Sequence, residues 1–287
     1  MALFQVNDKF SLDAANYIRK LFRSNTVPSN PSENEVWWDS SVSTRFFLKM
    51  YDGANWKTLV NNEYADRTIN LNSSMTLAEI HAEIENIGYI MPGVTITIQF
   101  ADGTYTHTGP IVFQNIRGAG KCIVQGNTSD SGKGTLYQVH INSSGTECNS
   151  VEIKDIHCEF HFRYIKNSYD NQNTSHHGIL VGENCTGKIS IYDGYSIGTS
   201  HSIGDNGAGL AVINCPVSVE FSNYYVTDGR FGLYGENCAP IISKACEDTG
   251  TQPAIGQSAN GCNIHIVGAR IDGSGSITLA TDGEVYQ

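Results

Sequence analysis

The heptapeptide Ile156-His157-Cys158-Glu159-Phe160-His161-Phe162 carries the residue types in this chain most able to do chemistry. In an extended strand successive side chains point to opposite faces. Ile156, Cys158 and Phe160 would then face a core, while His157, Glu159 and His161 would share the other face. Two imidazoles around a carboxylate can hold a divalent metal or move a proton. The same trio also occurs on ordinary polar strand faces, and no zinc is forecast. Cleavage of a glycan would need two carboxylates, or a carboxylate and a base, across a groove. The candidates are Glu183 and Glu236, each inside a Gly-Glu-Asn-Cys tetrapeptide, with Asp193 and Asp228, each followed by glycine. Asp-Gly is also a turn dipeptide, and it recurs at Asp52, Asp102, Asp272 and Asp282. Tyr192, Tyr195, Tyr224, Tyr225 and Tyr234 could stack on sugar rings or fill a contact between subunits.

Other chemistries are disfavoured. The run from Gly126 to Gly134 has no Ser or Thr after Lys133, and Arg117-Gly118-Ala119-Gly120-Lys121 lacks the spacing of a phosphate loop. Both read as turns. The 287 residues carry a formal net charge of −11 with no lysine or arginine run, which argues against nucleic acid as a partner. Asp8, Lys9 and Asp13 interrupt the N-terminus before an apolar run reaches signal-peptide length, and no stretch approaches a membrane span. The expectation is a soluble protein made in a cytoplasm, with no cofactor. The eight cysteines contain no Cys-x-x-Cys pair, which argues against a zinc ribbon and for buried free thiols.

The elements that would position these residues emerge when the chain is aligned on its cysteines. Segments ending at Cys148, Cys185, Cys215, Cys238 and Cys262 are separated by 37, 30, 23 and 24 residues, and each is followed by an alternating apolar run beginning at Val151, Ile189, Val219, Ile241 or Ile264. A period near two dozen residues with strand-turn-strand content predicts one coil of a parallel β-helix per repeat. Inward cysteines of Cys185, Cys215, Cys238 and Cys262 would stack about 4.8 Å apart. Asn184, Asn214 and Asn237, just before three of them, suit left-handed turns and could bond one another along the axis. Gly-Glu-Asn-Cys thus reads as a rung marker. Upstream, Thr76 and Glu79 form a capping box, Leu77, Ile80, Ile84 and Ile87 an apolar stripe, and Gly88 a stop. This short helix would cover the first coil, ahead of strand patterns broken at Asp102-Gly103, Gly109-Pro110 and Gly118.

That order, a helix, then ITIQFADGTY, IVFQNIRGAG, CIVQG and the Cys/Asn-marked rungs, resembles the start of pectate-lyase-like right-handed β-helix domains of phage tailspikes and fibres. The likeness covers roughly residues 70 to 275, and no lyase catalytic motif is matched. Separately, Trp37-x-Asp39 followed by Leu48-Lys49-x-Tyr51-Asp52-Gly53-x-x-Trp56 is similar to small β-hairpin modules of phage tail-fibre and other virion proteins. Before it, Ser11 would cap a helix over Leu12 to Phe22 with Leu12, Ala15, Ile18 and Phe22 on one face.

The resulting expectation is an all-β chain, a parallel β-helix solenoid with a short capping helix, preceded by an N-terminal helix and a β-hairpin module. Residues 1–62 would be the attachment module, 63–74 a linker and 75–287 the β-helix. The resemblances imply a structural phage virion appendage, a tail or head fibre or short spike. It would be homotrimeric, bound to other virion proteins through Trp37, Trp38, Tyr51 and Trp56, and in contact with host surface glycan. Two alternatives stay open: a tailspike depolymerase with lyase or glycoside hydrolase activity, and a glycan-binding module that does not cleave.

Overall fold

The computed structural model describes residues 21–130, 136–143, 148–171, 176–201, 207–227, 231–244, 247–248, 257–259, 263–267, 270–271 and 284–286. Two compact units divide at Asp66/Arg67. The segment expected to be a linker is therefore not one. Arg67–Leu71 is a strand and pairs in parallel with Thr95–Phe100, because Ile69 and Leu71 have a core to enter.

In the first unit Leu21–Ser24 runs parallel to Val36–Asp39, which pairs antiparallel with Arg45–Tyr51, and that strand forms a hairpin with Trp56–Glu63. Leu21 and Phe22, expected to end a helix, lie in the first strand; the rest of that expected helix falls outside the described residues. The Trp-x-Asp…Lys…Asp-Gly pattern is explained by packing. The Lys49 ammonium lies 4.7 Å from the centre of the buried Trp37 ring and bonds Asp39 Oδ2 at 2.8 Å. Asp52 Oδ1 accepts the N–H groups of Ala54 and Asn55 at 2.9 and 2.6 Å, and Gly53 supplies the left-handed φ of 95° that the turn needs. Trp37, Tyr51 and Trp56 form an aromatic cluster with ring centres 5.5–5.6 Å apart.

The second unit is built from three parallel ladders in which each strand pairs with its counterpart one repeat later. The first ladder runs from Arg67–Leu71 through Thr95–Phe100, Arg117–Gln125, His157–Arg163, Ile189–His201, Val219–Thr227, Ile241–Lys244 and Asn263–Val267 to Glu284–Tyr286. The second contains Gly103–Thr106, Val139–Asn142 and Lys166–Asn171, then the later halves of two first-ladder strands, then Glu247–Asp248 and Arg270–Ile271. The third contains Ile111–Phe113, Val151–Ile153, Ile179–Val181, Ala208–Ile213, Phe231–Glu236 and Gln257–Ala259. Period-two alternation sends every second residue of a strand inward, as with Ile96, Ile98 and Phe100. Ile96, Cys122, Phe160, Ile189, Val219, Ile241 and Ile264 are register partners in unbroken succession, and all are fully buried.

Corners between ladders use left-handed residues. Asn115, Asp155, Asn184, Asn214 and Asn237 all have φ between 45° and 61°, and the next residue in each case, Ile116, Ile156, Cys185, Cys215 or Cys238, packs into or against the core. Asn237 Nδ2 donates to Asn214 Oδ1 at 2.8 Å, the axial bond expected of stacked asparagines. A second corner column holds Tyr164, Asp193 and Asn223 at φ of 59°, 50° and 48°. Two alignments need correction. Cys148 is not in the cysteine column; the strand after it, Val151–Ile153, belongs to the third ladder, whereas those after Cys185 and Cys215 belong to the first. Arg117–Lys121 is not a turn but the bulged start of a strand. Cys262 lies outside the described residues, and Cys122, Cys158, Cys185 and Cys215 are free thiols.

The only α-helix among the described residues is Leu77–Glu85. Thr76 and Glu79 form the expected capping box, Ile80 and Ile84 are buried, and the helix stops at Asn86 rather than Gly88. It packs on Ile111–Phe113, the first described strand of the third ladder, and His81 Nε2 accepts the Val112 N–H at 3.1 Å. That strand edge, the first of its ladder among the described residues, is thus closed by a side chain. Replacing His81 with Ala strands a partly buried N–H, an expected loss of about 1–2 kcal/mol read as a lower urea midpoint. His81→Gln, which keeps an acceptor, should recover part of it.

Candidate functional site

The corner between the third and first ladders holds a shallow depression of about 330 Å³ lined by Gln114, Lys154, Asp155, Glu183 and Asn184. The left-handed corner turns Asp155 toward its neighbours. Asp155 Oδ1 bonds His157 Nε2 at 2.7 Å and Oδ2 bonds Arg117 Nη2 at 3.1 Å, while His157 Nδ1 meets Thr186 Oγ1 at 2.7 Å. The His157 hydrogen bond holds the Asp155 carboxyl below the usual carboxylate range against a small burial penalty, and Arg117 adds to it. Hydroxyl, imidazole and carboxylate in a line are the parts of a nucleophile relay. Here, however, the N–H groups of Thr186 and Gly187 both donate to Ile156 O, at 2.8 and 3.1 Å. Neither is aimed at a position where an oxyanion would form. The arrangement ties neighbouring strands of the ladders to one another.

His157, Glu159 and His161 do alternate outward as expected, but they do not converge. Glu159 Oε1 bonds His161 Nε2 at 2.8 Å and Lys121 Nζ at 3.2 Å, while His157 turns to Asp155. Burial holds His161 below the ordinary imidazole range, although its Glu159 partner opposes this. Among the described residues no group of three or more His, Cys, Asp and Glu side chains is placed to hold a metal.

Glu183 and Glu236 are not an adjacent pair. Glu183 O accepts from Asp155 N and Glu236 O from Asn214 N, so they play one role in coils that are two strands apart, about 9.6 Å along the stack. Ile213 lies between them, in register with Glu236, and Glu236 accepts the Tyr234 hydroxyl at 2.8 Å. Asp193 is a corner residue accepting from Asn223 Nδ2 at 3.4 Å. Asp228 lies outside the described residues.

The tyrosines divide by direction. Tyr224 is a core residue, its hydroxyl bonded to Asn167 Nδ2 at 2.9 Å and Ser196 Oγ at 3.1 Å. Tyr195 is buried with its hydroxyl on Thr227, and Tyr234 is buried in a small cluster with Ala208 and Ala211. Only Tyr192 and Tyr225 remain partly exposed. Tyr192 ends an outward polar column in which its hydroxyl and Gln125 Oε1 accept from Arg163, and Gln125 Nε2 donates to Gln99 Oε1.

Sequence reasoning missed Gln114, Arg117, Lys154, Asp155 and Thr186. The signal was Asp155-Ile156, the same left-handed residue plus inward residue as Asn184-Cys185, disguised by isoleucine in place of cysteine.

No family model and no curated protein matches the chain. Among solved structures it is similar to one described as Geobacillus virus E2 ORF18, with 13% sequence identity, 93% of this chain and 74% of that chain covered, and a TM-score of 0.27. A likeness of that size assigns neither fold nor role.

Proposed function

We propose that the chain is a structural virion appendage of a phage, its second unit a parallel β-helix solenoid and its first unit the attachment module. The observation that carries this reading is the commitment of the outward polar groups to one another. Arg117 to Asp155 and His157 to Thr186 at the corner, Lys121 to Glu159 beside it, and Gln99, Gln125, Arg163 and Tyr192 in succession on the first ladder bond from one strand to the next, while Asp155–His157 and Glu159–His161 are local bonds that orient these groups. These bonds stiffen a stack; they do not set up an acid and a base across a cleft. The eight steps of the first ladder span about 38 Å at the spacing between strands.

Three copies packed side by side would bury part of each outer face, and a homotrimer in contact with host glycan is part of this reading. Trp38, Tyr51 and Trp56, each half-buried, are the residues through which the first unit would meet other virion proteins; Trp37 serves mainly its core.

Deletion of residues 1–66 tests the assignment of roles. The remaining chain is expected to stay folded and soluble and to lose particle association, whereas a truncated chain that still joins particles would place the anchor elsewhere. Sedimentation of the full chain at micromolar concentration should give three times the monomer mass. Incubation with host surface polysaccharide should release no defined oligosaccharides; release abolished by Glu183→Gln or Glu236→Gln would move the protein to the depolymerase class.

A further inference from the structure

Cys185 and Cys215 occupy the same corner position in consecutive coils, each directly after a left-handed asparagine. The strands on either side are in register, Val181 with Val212 and Ile189 with Val219. Their Cα atoms are thereby held about one strand spacing apart, about 4.8 Å, inside the range of about 4.4–6.8 Å that a disulfide spans. Both side chains are buried in the same core. Each also faces a carbonyl, Glu183 O at 3.7 Å and Val217 O at 3.5 Å. The contact is asymmetric. The neighbouring Cys185 draws the Cys215 thiol below the ordinary thiol range despite burial, while Cys215 and burial push Cys185 up. Glu183, Asn184 and Thr186 around Cys185 are exposed, so the pair lies directly beneath the corner surface.

We propose that Cys185 and Cys215 are a redox-active pair that hydrogen peroxide converts into a disulfide joining consecutive coils. Cys215, as the thiolate, attacks one peroxide oxygen; the O–O bond breaks, hydroxide leaves, and Cys215 becomes a sulfenic acid. The Cys185 sulfur then attacks the sulfenic sulfur, forming the S–S bond as the hydroxyl departs with the Cys185 proton as water. The hydroxide takes up the proton that Cys215 had given up. Two thiols are oxidised by two electrons, and one peroxide is reduced to two waters. Cys122 and Cys158, both pushed up by burial, serve as internal controls.

The full-length protein, reduced and then desalted, is treated with hydrogen peroxide, alkylated and digested with trypsin. Cys185 lies alone in peptide 167–188, Cys215 alone in 189–230, and Cys238 in 231–244. Peptides 167–188 and 189–230 should appear linked and separate again on reduction, while alkylatable thiols fall by two from the eight of the sequence. In Cys185→Ser, Cys215 has no resolving partner and should be trapped as a dimedone adduct on 189–230. If both peptides stay free thiols throughout, or if Cys215 links to 231–244, the proposal is overturned.

Discussion

Lowering the pH from 6.5 to 4.5 is expected to remove about 3 kcal/mol of stability, most of it through His177. This residue is buried and pins four successive coils. Its backbone N–H donates to Asn149 Oδ1 at 2.8 Å, its ring Nδ1 accepts the Ala208 N–H at 3.1 Å, and the ring stacks on Tyr234 with centres 6.3 Å apart. An imidazole whose Nδ1 already accepts a bond cannot take a proton there without setting two donors against each other. Burial, with a smaller contribution from neighbouring His176, lowers its pKa to about 3. The unfolded chain therefore binds a proton near pH 6.5 that the folded chain refuses. The stabilisation is complete above that pH and falls by about 1.4 kcal/mol per unit until the folded value is reached. His140, lowered to about 4 chiefly by burial, acts in the same direction but is partly exposed and contributes less. Carboxylates held below their usual range, such as Asp39 and Asp155, add their losses only at lower pH. Urea unfolding at pH 7, 5.5 and 4.5 reads the slope. His177→Asn keeps an acceptor for Ala208 and removes the titration, so it should flatten the slope even if it lowers stability at pH 7. A wild-type midpoint constant from pH 7 to 4.5 would mean that His177 is not held neutral in the fold.

Gly187→Ala should be among the most damaging single-methyl changes. A Cβ at Gly187 would lie 1.8 Å from Cys158 O and 2.6 Å from Cys158 C, and backbone, unlike the end of a flexible side chain, cannot move aside without breaking the ladder. The cost belongs at the upper end of overpacking, about 3 kcal/mol, which for a unit of this size lowers Tm by about 6–12 °C. Gly182, also at this corner, provides the contrast: its nearest prospective contact is 3.7 Å away, so Gly182→Ala should change Tm little. Equal effects of the two substitutions would contradict the corner packing.

What was legible in the sequence follows the chemistry of the markers. Asn before Cys is rare enough to stand out, and it located three corners. The corners at Asn115 and Asp155 use isoleucine as the inward residue and blend into ordinary strand patterns. Cys148 shares only a residue type with the column, and aligning on it shifted one repeat onto a different ladder. The tyrosines were unreadable for a related reason. Phe221 and Tyr224 both face the core although they are an odd three positions apart, because left-handed Asn223 resets the alternation between them. Side-chain direction past a corner depends on how many residues the corner consumes, and a pattern of period two does not encode that number. The outward trio around Glu159 was placed on the correct face, but its partners come from residues distant in sequence. Lys121 reaches Glu159, and Thr186 reaches His157, from strands or corners of adjacent coils.

The central claim is that this chain is a projecting structural element of a virion, joined through its first unit. The most direct measurement is electron microscopy of purified particles carrying the full-length chain with a gold label at Gln287. The label should decorate intact particles at a distance from the particle surface, and decoration should vanish when residues 1–66 are deleted. Particles without label, with the tagged chain recovered entirely in the particle-free fraction, would contradict the account.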